Sequence, residues 1–187
     1  MTNPQLRSAR YEDLFSLPAN RVGEIIDGEL YTHPRPAPKH AMASSSLTEE
    51  LVGPFSKRRG GGPGGWWILD EPELHFGPDI LVPDLAGWRR ERLPSLPDTA
   101  WFELAPDWIC EVLSPSTART DRMLKMPRYA ENGVAYCWLV DPTARTLEAF
   151  KLSNGQWLLL GSFVDEAEVA AEPFDAVTFP LGALWAE

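Results

Sequence analysis

The stretch from Trp108 to Val140 constrains the fold of this chain more than any other. Trp108-Ile109-Cys110-Glu111-Val112-Leu113 is an apolar run of the length of a short buried strand. Ser114-Pro115-Ser116-Thr117 makes a turn in which Ser116 or Thr117 can cap a helix. The helix is expected over roughly Ala118 to Asn132 and stops at Asn132-Gly133. Pro127 inside it predicts a kink or an early break. Val134 to Val140 is a second apolar run, ended by Asp141-Pro142. Two apolar strands joined by a helix pair in parallel through a right-handed crossover. The expected class is therefore α/β: a mixed β-sheet flanked by helices.

The remaining segments fit around that unit. Asp27-Gly28 lies between the apolar runs Arg21–Ile26 and Glu29–Thr32 and signals an N-terminal hairpin. A short helix is expected at Tyr11–Phe15. Pro34, Pro36 and Pro38 impose an extended connector. From His40 to about Arg59, Met42 or Ala43, Leu47, Leu51 and Phe55 recur near helical spacing, with Pro54 kinking or ending the last turn. Strands are expected at Trp66–Leu69, Glu73–Phe76 and Ile80–Trp88, followed by a long loop from Arg89 to Pro106. A C-terminal hairpin, Thr146–Leu152 with Gln156–Phe163, turns at Ser153-Asn154-Gly155. A short strand near Ala176–Phe179 and a helical turn at Leu181–Trp185 complete the chain.

A length of 187 residues suits one domain, 1–187, and 44% hydrophobic residues exclude a disordered chain. No apolar run reaches the roughly 20 residues that span a bilayer, and Met1 to Tyr11 is polar with no apolar signal core. A cytoplasmic protein without a membrane partner is expected. Cys110 and Cys137 sit in apolar runs and read as reduced core residues, with a disulfide as the other option. The formal net charge of −10 argues against a general nucleic-acid coat protein. A local basic patch, Lys57-Arg58-Arg59 or Arg89-Arg90 with Arg92, can still meet DNA or simply be solvated.

Two carboxylates stand out because buried strands have no structural need for them: Asp84, after Val82-Pro83, and Glu111. If their strands are neighbours, these two and the main-chain carbonyl of Val112 offer the oxygen donors that Mg²⁺ takes. Such an ion lowers the pKa of bound water and neutralises charge on a phosphate. Lys125 follows on the helix, in line with Asp121 and Tyr129. It is either an assisting cation or half of an exposed Asp121–Lys125 pair worth about 0.3–0.5 kcal/mol. Glu24 is either a further acid of the site or a solvent-facing strand residue. His40 either lines the cleft or merely opens its helix, and His33 and His75 carry no distinguishing signal. No G-x-x-x-x-G-K-[ST] loop, Cys-x-x-Cys, His-Glu-x-x-His or Gly-x-Ser-x-Gly motif is present.

Taken together, Val82-Pro83-Asp84-Leu85, Glu111-Val112-Leu113-Ser114-Pro115-Ser116-Thr117, Asp121, Lys125, Tyr129 and Tyr136-Cys137-Trp138-Leu139-Val140-Asp141-Pro142 resemble the Uma-two family of the PD-(D/E)XK nuclease superfamily. Glu24-Ile25-Ile26-Asp27-Gly28-Glu29-Leu30 and His40 match as well, so the resemblance runs from about Tyr11 to Trp185. It implies the restriction-endonuclease-like fold and Mg²⁺-dependent cleavage of DNA, with Mn²⁺ as an alternative ion. By carry-over, Asp84 and Glu111 are metal ligands and Glu24 an auxiliary acid. Leu113 stands where the superfamily motif has lysine, so Lys125 on the following helix is expected to take that part. A homodimer is expected of an enzyme that cuts both strands. A non-catalytic binding module on the same fold is the rival reading.

Overall fold

The computed structural model describes residues 8–185. The polar N-terminal stretch read from Met1 falls outside it up to Arg7. Two mixed sheets, rather than one, carry the fold. The first has the order β2-β1-β5-β4-β7, with β1 Arg21–Ile26, β2 Glu29–Pro34, β4 Glu73–Phe76, β5 Asp79–Leu81 and β7 Trp101–Phe102. The second has the order β11-β10-β9-β8-β6-β3, with β3 Trp66–Asp70, β6 Leu85–Arg89, β8 Trp108–Val112, β9 Tyr136–Asp141, β10 Thr146–Ser153 and β11 Gln156–Val164. A short pair, β12 Glu168–Val169 with β13 Phe179–Pro180, stands apart.

The parallel unit forms as its sequence dictates: β8 pairs with β9 in parallel register, Trp108 opposite Tyr136 and Val112 opposite Val140. Both hairpins form as well. Asp27 and Gly28 take φ of 55° and 75°, the left-handed pair a tight two-residue turn needs. Asn154 and Gly155 do the same between β10 and β11. Cys110 and Cys137 are free and buried.

The stretch expected as one strand from Ile80 to Trp88 is broken. Pro83 has no N–H for a ladder, and the chain leaves β5 in the first sheet at Leu81 and enters β6 in the second at Leu85. Asp84 sits at that crossing. The Arg89–Pro106 loop contains β7, a two-residue strand pairing in parallel with β4. Its arginines serve packing: Arg89 lies over the Trp66 ring, Arg90 over the Trp67 ring, and Arg92 pairs with Asp107 at 2.8 Å.

The helices absorb their prolines in wide turns. After the short α1 (Tyr11–Leu14), α2 runs from Pro38 to Leu51 and passes into a π-helical turn, Val52–Ser56, that contains Pro54. After β8 come α3 (Ala118–Thr120), a π turn over Asp121–Lys125 and α4 (Met126–Glu131), with right-handed helical backbone at both joins. The Met126 N–H reaches back five residues to the Asp121 carbonyl. Widening the ladder there accommodates Pro127, which lacks an N–H, so the helix continues through it. The turn ahead is closed by Ser114, not by Ser116 or Thr117: its Oγ accepts from the Thr117 N–H at 3.2 Å.

Apolar residues cover both faces of the second sheet. Trp108, Trp138 and Phe174 pack with Ala43, Leu47 and Leu51 of α2 on one side. Ile109, Leu113 and Leu139 pack with Met126 and Tyr129 of α4 and with Ile26, Leu74 and Leu81 of the first sheet on the other. Among the described residues no helix is long and apolar enough to cross a membrane.

Candidate functional site

Strand order brings the two acids together. β6 and β8 are antiparallel neighbours with Leu85 opposite Cys110, so one step further along the ladder sets Asp84 opposite Glu111. The Asp84 Oδ2 accepts from the Val112 N–H at 2.7 Å, which takes up a ladder donor freed by the break at Pro83. The other oxygen, Oδ1, lies 3.3 Å from His40 Nε2 in the first turn of α2. Burial lowers the His40 pKa, but the Asp84 carboxylate more than reverses this and the net shift is upward.

Glu111 and Lys125 occupy a dry interior. β8 sends Trp108, Cys110 and Val112 to one face and Glu111 to the other, against α4. There Glu111 Oε1 accepts from the Tyr129 hydroxyl at 2.6 Å and pairs with Lys125 Nζ at 2.9 Å. Lys125 Nζ also meets Glu24 Oε1 at 2.8 Å, the Val82 carbonyl at 3.1 Å and, at 3.8 Å, Asp121. Glu24 Oε1 in turn accepts from the Val82 N–H at 2.7 Å. Glu24 is therefore a buried residue, not a solvent-facing one. The Asp121–Lys125 pair likewise lies inside, each side chain 5% exposed or less.

Electrostatics follow from three carboxylates, Glu24, Glu111 and Asp121, facing one ammonium. Burial pushes the Glu111 carboxyl well above the usual range, with Lys125 pulling the other way. Burial likewise raises Asp121 to about 6 against the pull of Lys125. Burial would lower Lys125, but Glu111, Glu24 and Asp121 outweigh it and raise the ammonium well above its ordinary value. Burial, and then the neighbouring Glu111, also raise Tyr129.

A cleft of about 230 Å³ opens onto this corner. One wall is the hairpin and its connector, Val22 and His33 to Ala37. The other is the Ser114–Thr117 turn, and His40, Asp84, Glu111, Asp121 and Lys125 reach the cleft between them. Sequence reasoning did not separate His33 from noise, yet its Nε2 stands 3.9 Å from Glu24 Oε2. Arg35 and Glu71, also on the cleft, were not singled out. Only the period-two alternation from Val22 and Glu24 across the hairpin carried a signal for His33 and Arg35.

The donors at the Asp84 corner are carboxylate and carbonyl oxygens, which suit a hard divalent ion. The buried Nδ1 of His40, which has no hydrogen-bond partner, adds one nitrogen to the neighbourhood. Among the described residues no three His, Cys, Asp or Glu side chains form a ready cage.

The comparisons with known proteins address the family and the fold. A crystal structure of "a putative nuclease belonging to DUF820" from Anabaena variabilis ATCC 29413 superposes with a TM-score of 0.74 at 22% identity. The alignment covers 94% of this chain and 97% of that one, so the two share a fold. No curated protein matches the sequence. The model of the Uma2 family, described as "Putative restriction endonuclease", matches residues 10–181, and the chain belongs to that family.

Proposed function

We propose that this protein is a cytoplasmic, metal-dependent DNA endonuclease that hydrolyses phosphodiester bonds in the Asp84–Glu111 cleft. The observation that carries this reading is that Asp84, one residue ahead of β6, and Glu111, on the neighbouring β8, both line one cleft. Asp84, Glu111 and the Val112 carbonyl would hold Mg²⁺ or Mn²⁺. When bound, the ion lowers the pKa of its water and neutralises charge building on the phosphate.

The chain's own groups prepare that corner. The Val112 N–H and His40 fix the two oxygens of Asp84. The Tyr129 hydroxyl and Lys125 fix Oε1 of Glu111, and Lys125 opposes the burial that raises its pKa. Glu24 completes the cradle of the ammonium. Lys125 and Glu24 are thus positioning residues that act through Glu111. Their placement supplies the cation that Leu113, buried at the usual motif position, cannot. We take the active form to be a homodimer, as two-strand cleavage favours, which sedimentation of the purified protein checks.

Purified protein is expected to nick DNA with millimolar Mg²⁺ or Mn²⁺, and Asp84→Ala to abolish nicking. Nicking that survives Asp84→Ala overturns the site. Failure to bind either ion replaces the reading with a non-catalytic binding module.

A further inference from the structure

Lys125 is the strongest cation at the cleft, but its ammonium is spent. Its three N–H donors meet Glu24 at 2.8 Å, Glu111 at 2.9 Å and the Val82 carbonyl at 3.1 Å. An ammonium has three donors, so none remains for a substrate. Any polyanion entering the cleft must find its positive contact elsewhere.

The hairpin wall provides one. β1 and β2 pair Val22 with His33, so these two share a face of the hairpin. Arg35 lies two residues past His33 along the extended connector, again on that side. All three line the cleft. The Arg35 backbone is held by its N–H to the Asn20 carbonyl at 3.3 Å and by the fixed φ of Pro34 and Pro36 on either side.

Its guanidinium is uncommitted. Its one hydrogen bond among the described residues is from Nε to the Ala19 carbonyl at 3.3 Å, and no carboxylate pairs with it there. Other arginines are engaged: Arg89 and Arg90 on tryptophan rings, Arg92 on Asp107, Arg122 on Glu148, Arg128 on Asp27 and Glu131. A planar fork of free N–H donors at the mouth of an acidic cleft matches the oxygens of a phosphate.

We propose that Arg35 grips a phosphate of the substrate DNA strand adjacent to the one being cut. This rests on the nuclease reading of the cleft. It explains how a chain of net charge −10 can seat a polyanion: the strand lies along the hairpin wall.

The test separates this proposal from the reading beneath it. Cleavage of a short DNA oligonucleotide by the wild type with Mg²⁺ examines the reading. Binding of the same oligonucleotide to Asp84→Asn, over a range of salt, examines Arg35. Adding Arg35→Ala is expected to weaken binding about tenfold. It should also lower the slope of log affinity against log salt by about 0.7–1, the share of one phosphate contact. Arg35→Lys should keep the slope and recover only part of the affinity. In the cleaving enzyme, Arg35→Ala should raise KM more than it lowers kcat. Affinity and slope unchanged by Arg35→Ala overturn the proposal even where the wild type cleaves. An Arg35-dependent slope without any cleavage keeps the phosphate contact and removes the nuclease. An oligonucleotide that does not bind removes the proposal outright.

Discussion

Asp84, just ahead of β6, and Glu111, on the neighbouring β8, share one cleft, yet their surroundings differ. The Asp84 side chain is 17% exposed and its neighbour His40 12%, whereas Glu111 and Lys125 are 2% and 3% exposed. One half of the site is partly open to solvent. The other is dry, its groups tied by bonds of 2.6–3.1 Å. The difference assigns labour. Of the two proposed ligands, Asp84 is the one with access to water. A buried carboxylate needs a fixed countercharge, and Glu111 has Lys125. Changes in the dry half should therefore show in stability, and changes in the wet half mainly in ion binding and turnover.

The largest expected effect breaks the dry half. Lys125→Met keeps the apolar stem and removes the charge, leaving Glu24 and Glu111 without compensation. Removing one partner of a buried ion pair typically costs about 3–5 kcal/mol. Urea unfolding followed by tryptophan fluorescence measures this, and Asp84→Ala in the same assay should lose only about 1 kcal/mol. Equal losses from the two substitutions would erase the contrast.

Tyr129→Phe is a milder cut in the same half. It deletes the hydroxyl that donates to Glu111 and leaves a buried acceptor short of one partner, an effect of about 1–3 kcal/mol. The same unfolding assay reads it. A change near zero would mean that Lys125 alone holds Glu111.

The two halves also differ in how far sequence alone disclosed them. The β8–helix–β9 unit was legible because two apolar runs around a capped helix have one economical pairing, and the hairpins because Asp27-Gly28 and Asn154-Gly155 mark their turns. Glu111 and Lys125 belong to that unit, but its sequence left Lys125 either an assisting cation or half of an exposed pair with Asp121. The chain's switch between sheets at Val82–Asp84 was not legible. Ile80 to Trp88 has an unbroken strand pattern, and only tertiary pairing decides that Pro83 ends one strand and precedes another. The partition into two sheets was hidden for the same reason. So was the wall carrying His33 and Arg35, since it faces the cleft only once the hairpin closes over Asp84. The burial of Glu24 was an open alternative that only the closed hairpin decides. Both π turns were missed because proline in a helical pattern announces a disturbance without saying whether the ladder breaks or widens.

The smallest effect probes the border between the halves, where Asp121 reaches both Lys125 and the cleft. Its pKa is raised from 3.8 to about 6, chiefly by burial. The folded chain therefore holds this proton more tightly than the unfolded chain between about pH 4 and 6. Linkage then makes ionisation of Asp121 erode stability as pH rises through that window, with no contribution below it. Asn mimics the protonated acid, so Asp121→Asn should match the wild type near pH 4. It should gain on it by on the order of 1 kcal/mol at pH 7, read as a pH-dependent difference in urea midpoint. Ion affinity should move the opposite way. Losing the proton adds negative charge to the cleft, so wild-type affinity for Mn²⁺ should rise with pH through about 6, and Asp121→Asn should flatten that rise. Should the variant instead lose stability relative to wild type as pH rises, the Asp121 carboxylate would be a net stabilising partner of Lys125, and the dry half would extend to the edge of the cleft.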